Sequence, residues 1–165
     1  MTKPTLLVSS CLLGQPVRYD GQSKPLSNPR WTSLRQRFDL IPVCPECLGG
    51  LPTPRPAAEI VGGNGRDALA GNARIQTADG DDVSAAFIAG AERALDAALQ
   101  HGCAQALLKA NSPSCGNSRI YDGSFSATLR DGQGVAASLL EQNGITVWNE
   151  TEIDRLLDSE PPQTV

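Results

Sequence analysis

Three short apolar runs, Thr5–Ser9, Asp39–Val43 and residues 104–108, each lead into a polar loop, and each loop carries a cysteine: Cys11, Cys44 and Cys115. Runs of this length suit strands buried on both faces of a parallel sheet. Helical patterns separate them. Val83, Phe87, Ala91 and Leu95 recur at helical spacing until Gly102, and Val135, Leu139 and Leu140 do so until Gly144. Leu34 and Phe38 share a face on a helix that Asn28 caps and Pro29 opens, and Asn149 caps a last helix bearing Ile153, Leu156 and Leu157. Strands alternating with helices predict an α/β fold: a single-domain Rossmann-like sheet, mainly parallel, with helices on both faces. Parallel strands carry their following loops to one edge, where such sheets bind ligands. Three thiols far apart in the chain therefore converge.

The rest of the chain is less patterned. A short strand is expected at Arg74–Thr77, a pair of strands at Arg119–Tyr121 and residues 125–129 around the Asp122-Gly123 turn, and a last strand at residues 145–148. Residues 51–56 carry three prolines and read as an extended surface segment. Residues 59–72 are glycine-rich and give no assignment. We expect one domain over residues 1–160 and a flexible tail at 161–165.

With 14 basic and 18 acidic side chains the net charge is −4, which argues against a long nucleic acid held by electrostatics and leaves a nucleobase or nucleotide open. No apolar run nears the ~20 residues of a membrane span, and the N-terminus does not resemble a signal peptide, so a cytoplasmic protein is expected. Five cysteines form an odd set, and a reducing compartment disfavours a disulfide framework. The single histidine, His101, falls at a helix end and leaves little room for a Cys–His pair or a multi-histidine metal site.

Three soft ligands without histidine suit an iron–sulfur cluster or zinc. Cys44 and Cys47 have C-x-x-C spacing, which also fits zinc or a redox pair; a redox pair would normally open a helix, whereas Cys47 leads into Leu48-Gly49-Gly50. Cys103 reads as a small core residue. Polar groups gather beside the other thiols: Tyr19 and Asp20 after Cys11, Glu46 after Cys44, and Lys109, Asn111, Ser112 and Ser114 before Cys115. Such grouping points to a reactive site.

The segments SSCLLGQPVRYDG, PVCPECLGGLPTPRPAAEI, LLKANSPSCG and GVAASLLEQNGI resemble the bacterial thiouracil desulfidases, over about residues 6–148. The resemblance implies one α/β domain holding a 4Fe–4S cluster on three cysteines, here Cys11, Cys44 and Cys115, with the fourth iron lacking a protein thiolate. Cys44 is preferred to Cys47 because it comes first after the strand and the match runs through VCPE. The implied activity is non-redox removal of sulfur from 2- or 4-thiouracil, or a related thionucleobase, with release of hydrogen sulfide. An iron with an open position is a Lewis acid for the thiocarbonyl sulfur, so water can attack the carbon. Glu46 is the first candidate for proton transfer and Asp20 the second. Ser112, Ser114, Asn111 and Lys109 are candidate hydrogen-bond donors, and Tyr19 a candidate to pack on the ring. The alternative class is a metal- or cluster-bearing module that binds or senses a small ligand.

Overall fold

The computed structural model describes residues 3–13 and 30–159. In chain order the described residues form β1 (Thr5–Ser9), a 3-10 turn (Ser10–Leu13), α1 (Trp31–Arg37), β2 (Asp39–Val43), α2 (Pro45–Leu48), β3 (Ala58–Val61), α3 (Gly65–Leu69) and β4 (Arg74–Thr77). Then follow α4 (Ser84–Gln100), β5 (Gln105–Leu108), β6 (Arg119–Tyr121), β7 (Leu129–Asp131), α5 (Val135–Gln142), β8 (Thr146–Asn149) and α6 (Ile153–Asp158).

The central sheet is fully parallel in the order β2-β1-β5-β8. Pro42 cannot donate to a ladder, and it lies on the edge strand β2, where one side of the backbone needs no partner. Side chains alternate across the sheet. Leu7, Ala106, Leu108 and Val147 face Ala98 of α4 and Ala137 and Leu140 of α5. Leu6, Val8 and Leu107 face Leu34, Phe38, Ile153 and Leu156, from the α1 and α6 side. Helices thus cover both faces, as the alternation of patterns predicts. Cys103 is buried in the first of these layers. His101 is the C-cap of α4. None of the described helices is long and apolar enough to cross a membrane.

A third apolar cluster joins the antiparallel pair β3–β4 to α4 and α5 through Ile60, Ile75, Phe87, Ala91 and Val135. Here β4 forms at the bounds expected for Arg74–Thr77, while β3 and α3 fall in the stretch the sequence leaves unassigned. Asn64 accepts the Asp67 N–H at 3.1 Å and Asp67 Oδ2 accepts the Asn64 N–H at 2.9 Å, a reciprocal cap that starts α3. Its signal is weak because Asp stands where Glu or Gln is usual and glycines flank it. The strand expected at 125–129 forms instead at β7, since Phe125 and Ala127 have φ of 58° and 59°, which no strand accommodates. Residues 45–48, read from sequence as a loop, form α2 with Cys44 as its N-cap. The Asn28-Pro29 cap and residues 161–165 lie outside the described residues.

α2 has no ordinary packing space. A Cβ at Gly90 of α4 would lie 1.8 Å from the Pro45 carbonyl oxygen, and one at Gly49 would lie 1.9 Å from that of Ala86. Backbone meets backbone at both points. Alanine favours a helix over glycine by about 1 kcal/mol, but the clash with an immobile carbonyl costs about 1–3 kcal/mol or more. Gly90→Ala is therefore expected to destabilise the fold by about 2 kcal/mol net where the clash reaches the upper end of that range, read as a lower urea midpoint. A higher midpoint would show that α2 can move away from α4.

Candidate active site

The chain leaves β1 for β2 on one side and later reaches β5 on the other. The sheet order therefore reverses between β1 and β5, and ligands bind outside the carboxyl ends of strands at such a point. Cys11 follows β1 in the 3-10 turn, Cys44 follows β2, and Cys115 stands in the loop after β5. All three line one cavity of about 470 Å³, together with Glu46, Lys109, Asn111 and Ser112. This volume is within the usual range for a small-molecule site.

The Cys115 loop is seated on the first turn of α5. The N–H groups of Val135 and Ala136 donate to the carbonyls of Pro113 and Ser114, each at 2.8 Å, and the Gly134 N–H donates to Gly116 at 2.7 Å. Helix N-termini leave such donors without intrahelical partners, and here a loop takes them. A Cβ at Gly134 would lie 2.6 Å from the Ser114 oxygen, so glycine is required for the approach. Ser112 Oγ accepts the N–H groups of Ser114 and Cys115 at 3.0 and 3.1 Å. Both hydroxyl lone pairs are then committed, so Ser112 can act towards the cavity only as a donor. Ser9 Oγ accepts the Lys109 N–H at 2.9 Å and donates to Cys115 Sγ at 3.7 Å.

Burial pushes the Cys44 thiol up to about 12; a backbone hydrogen bond from Cys47 opposes this, and the nearby Cys47 and Glu46 charges add to it. Burial likewise raises Cys115, against the Ser9 hydroxyl and with the charges of Cys44, Glu46 and Cys11. Thiolates gathered here repel one another and lack water, so a cationic centre is what would stabilise them. Among the described residues no three His, Cys, Asp or Glu side chains are grouped to hold a single metal ion. The three thiols line one cavity. They are soft sulfur donors and no histidine lines the cavity, which suits iron–sulfur chemistry.

Other expectations fare differently. Ser114 does not line the cavity: it is 1% exposed and its Oγ has no hydrogen-bond partner. The α5 contact turns that residue into the core. Cys47 is also absent from the lining, and its Sγ lies 3.5 Å from Thr53 Oγ1. It does sit on a helical turn with Cys44 as N-cap, contrary to the sequence expectation. Lys109 pairs with Glu150, Nζ to Oε2 2.9 Å, while Glu150 Oε1 takes the Ala110 N–H at 2.7 Å. Tyr19 and Asp20 lie outside the described residues.

Sequence reasoning missed Arg55. The segment 51–56 is not simply a surface strap, because Arg55 turns inward and its side chain is 3% exposed. Its Nη2 donates to Glu46 Oε2 at 2.7 Å, and its Nη1 to Pro52 O and Thr53 Oγ1, each at 3.1 Å. Burial works against this guanidinium's charge, but Glu46 outweighs it and holds the pKa above its ordinary value. A lone arginine between prolines gives no sequence signal for such a role. Glu59, Tyr121 and Phe125 also line the cavity and were missed: Glu59 lies in the unassigned glycine-rich stretch, and Tyr121 and Phe125 lie on an expected strand pair with no cysteine on it.

A model of the 2-thiouracil desulfurase family matches residues 6–152. The Bacillus subtilis (strain 168) protein YbbK, itself uncharacterised, is 43% identical over 152 residues, covering 92% of this chain and 99% of its own. A solved structure of TudS, a 4Fe–4S-dependent thiouracil desulfidase, matches with a TM-score of 0.83 at 44% identity, over 93% of this chain and 95% of that one.

The Glu46–Arg55 pair is unequal in burial, with side chains 20% and 3% exposed. Glu46→Ala leaves a guanidinium in the interior without its counter-charge, whereas Arg55→Ala leaves a carboxylate that can reach water. Both substitutions are expected to destabilise, Glu46→Ala by about 1–3 kcal/mol and the more of the two. Urea unfolding of both variants checks the order; the reverse order would show that Arg55 is solvated from elsewhere.

Proposed function

The chain belongs to the 2-thiouracil desulfurase family, and we propose that it is a 4Fe–4S-dependent desulfidase converting a thiouracil-type base and water to the oxo base and hydrogen sulfide. The observation that carries this reading is the shared cavity of Cys11, Cys44 and Cys115, with Cys47 outside it. Those three residues would hold the cluster. When bound, the cluster supplies an iron without a protein thiolate, a Lewis acid for the substrate sulfur. A ligand-sensing module is not favoured by this family.

The chain's own groups account for the proton traffic. Glu46 Oε2 is engaged by Arg55, which leaves Oε1 to take a proton from the attacking water and return one to the leaving sulfur or the ring. Ser112, with both lone pairs filled, donates its hydroxyl proton towards developing negative charge. Asn111 offers one donor group and one acceptor to the edge of a pyrimidine. The cavity cation Lys109 is matched by Glu150, and Arg55 behind the wall is matched by Glu46. Among the described residues little positive charge is left over for a phosphate, so the free base fits better than its nucleotide.

Anaerobic reconstitution with iron and sulfide, followed by the loss of the thiocarbonyl ultraviolet band, tests the reaction. A fully loaded protein that turned over no thiopyrimidine would overturn it. Cys11→Ala, Cys44→Ala and Cys115→Ala are each expected to lose the cluster, by iron content and visible absorption, while Cys47→Ala and Cys103→Ala retain it. Glu46→Gln is expected to keep the cluster and lose about 10²-fold or more in kcat; near-normal turnover removes Glu46 from the chemistry. Comparing thiouracil with its nucleoside monophosphate, kcat/KM is expected to favour the base at least about ten-fold, the cost of placing a phosphate where no cation is spare.

A further inference from the structure

The far wall of the cavity is built by residues that take no part in holding sulfur. Phe125 and Tyr121 both line it. Phe125 is 38% exposed and belongs to none of the three core clusters, so folding alone does not account for an aromatic side chain there. Its backbone has φ 58°, an unfavourable conformation for a bulky residue, and Ala127 has φ 59°. Strain of this kind persists only where the surroundings impose it, and it gathers at ligand sites.

The surroundings here are specific. Glu59 Oε1 accepts the N–H of Gly123 at 3.0 Å and that of Phe125 at 3.2 Å. Asp122 Oδ1 accepts the Ser124 N–H at 2.9 Å, and the Ser126 and Thr128 hydroxyls meet at 2.8 Å. The tip of the turn lies directly over β3, because a Cβ at Gly123 would fall 2.6 Å from the Ile60 carbonyl oxygen. One carboxylate on β3 therefore holds the Phe125 backbone in a strained state at a cavity that the thiols also line.

We propose that Phe125, held by Glu59, is the stacking surface for the substrate's planar pyrimidine ring. This rests on the desulfidase reading for the identity of the ring. Aromatic side chains recognise bases through their faces, and the interaction needs no charge, which suits a cavity whose described cation Lys109 already faces Glu150. Glu59 is a positioning residue: it acts on the ring only through the loop.

Calorimetric binding of uracil and of dihydrouracil to the cluster-loaded protein, beside steady-state thiouracil kinetics, tests the assignment. Dihydrouracil keeps the amide edge and loses the flat aromatic face. The wild type is expected to bind uracil better than dihydrouracil. Phe125→Ala is expected to weaken uracil about ten-fold, to abolish the preference over dihydrouracil, and to raise the thiouracil KM more than it lowers kcat. Phe125→Trp restores binding and preference. Glu59→Ala produces a similar loss and adds little to Phe125→Ala, since both act through one loop. Wild-type uracil affinity in Phe125→Ala, a Trp variant no better than Ala, or no uracil binding by the wild type overturns the proposal. If the loaded wild type binds uracil yet turns over no thiouracil, the desulfidase reading fails, and the uracil–dihydrouracil comparison still decides Phe125.

Discussion

The site depends on backbone pressed against backbone. Two of its three cysteines stand on segments that touch a helix without intervening side chains. The Cys115 loop takes the N–H groups that α5 cannot satisfy internally, across Gly134. The turn carrying Cys44 and Glu46 lies on α4 at Gly90. Contacts of this kind leave little room for adjustment, because peptide groups do not repack as side chains do. They suit a cradle that must offer thiols at fixed positions to a rigid inorganic group.

Electrostatics then set the character of the cavity. Cys11 and Cys115 are buried and Cys44 half-buried, and burial raises the Cys44 and Cys115 thiols above their ordinary range. Among the described residues the cavity offers its thiols to a cationic centre, while Lys109 and Arg55 already face Glu150 and Glu46. The Arg55 pairing also gives Glu46 a fixed direction, which the proposed proton-transfer role needs as much as it needs acidity.

Much of the frame was legible in the chain. The runs Thr5–Ser9 and Asp39–Val43 became β1 and β2 at the expected bounds, and the long helix ended at His101. These segments bury whole faces, so their apolar period is strong. In the layer from β3 to β4 only the strand Arg74–Thr77 was legible; β3 and α3 were not, because their pattern is short and broken by glycine and α3 starts on a reciprocal Asn64–Asp67 cap. Ser114 looked like a partner of Cys115 from its position alone. Neighbours in a tight loop point in different directions, and the seat on α5 sends this hydroxyl into the core.

The sequence by itself determined that strands alternate with helices and that a cysteine follows each of three strands, since hydrophobic period and residue spacing are local properties. A parallel sheet then carries those thiols to one edge. Only the tertiary structure decided which side chains face one another there: Arg55 on Glu46, Glu150 on Lys109, Glu59 beneath Phe125, and Cys47 outside the ring of thiols. Each of these pairings except Cys47's joins residues from different elements. They arise when separately folded segments meet, and no local pattern records where that meeting falls.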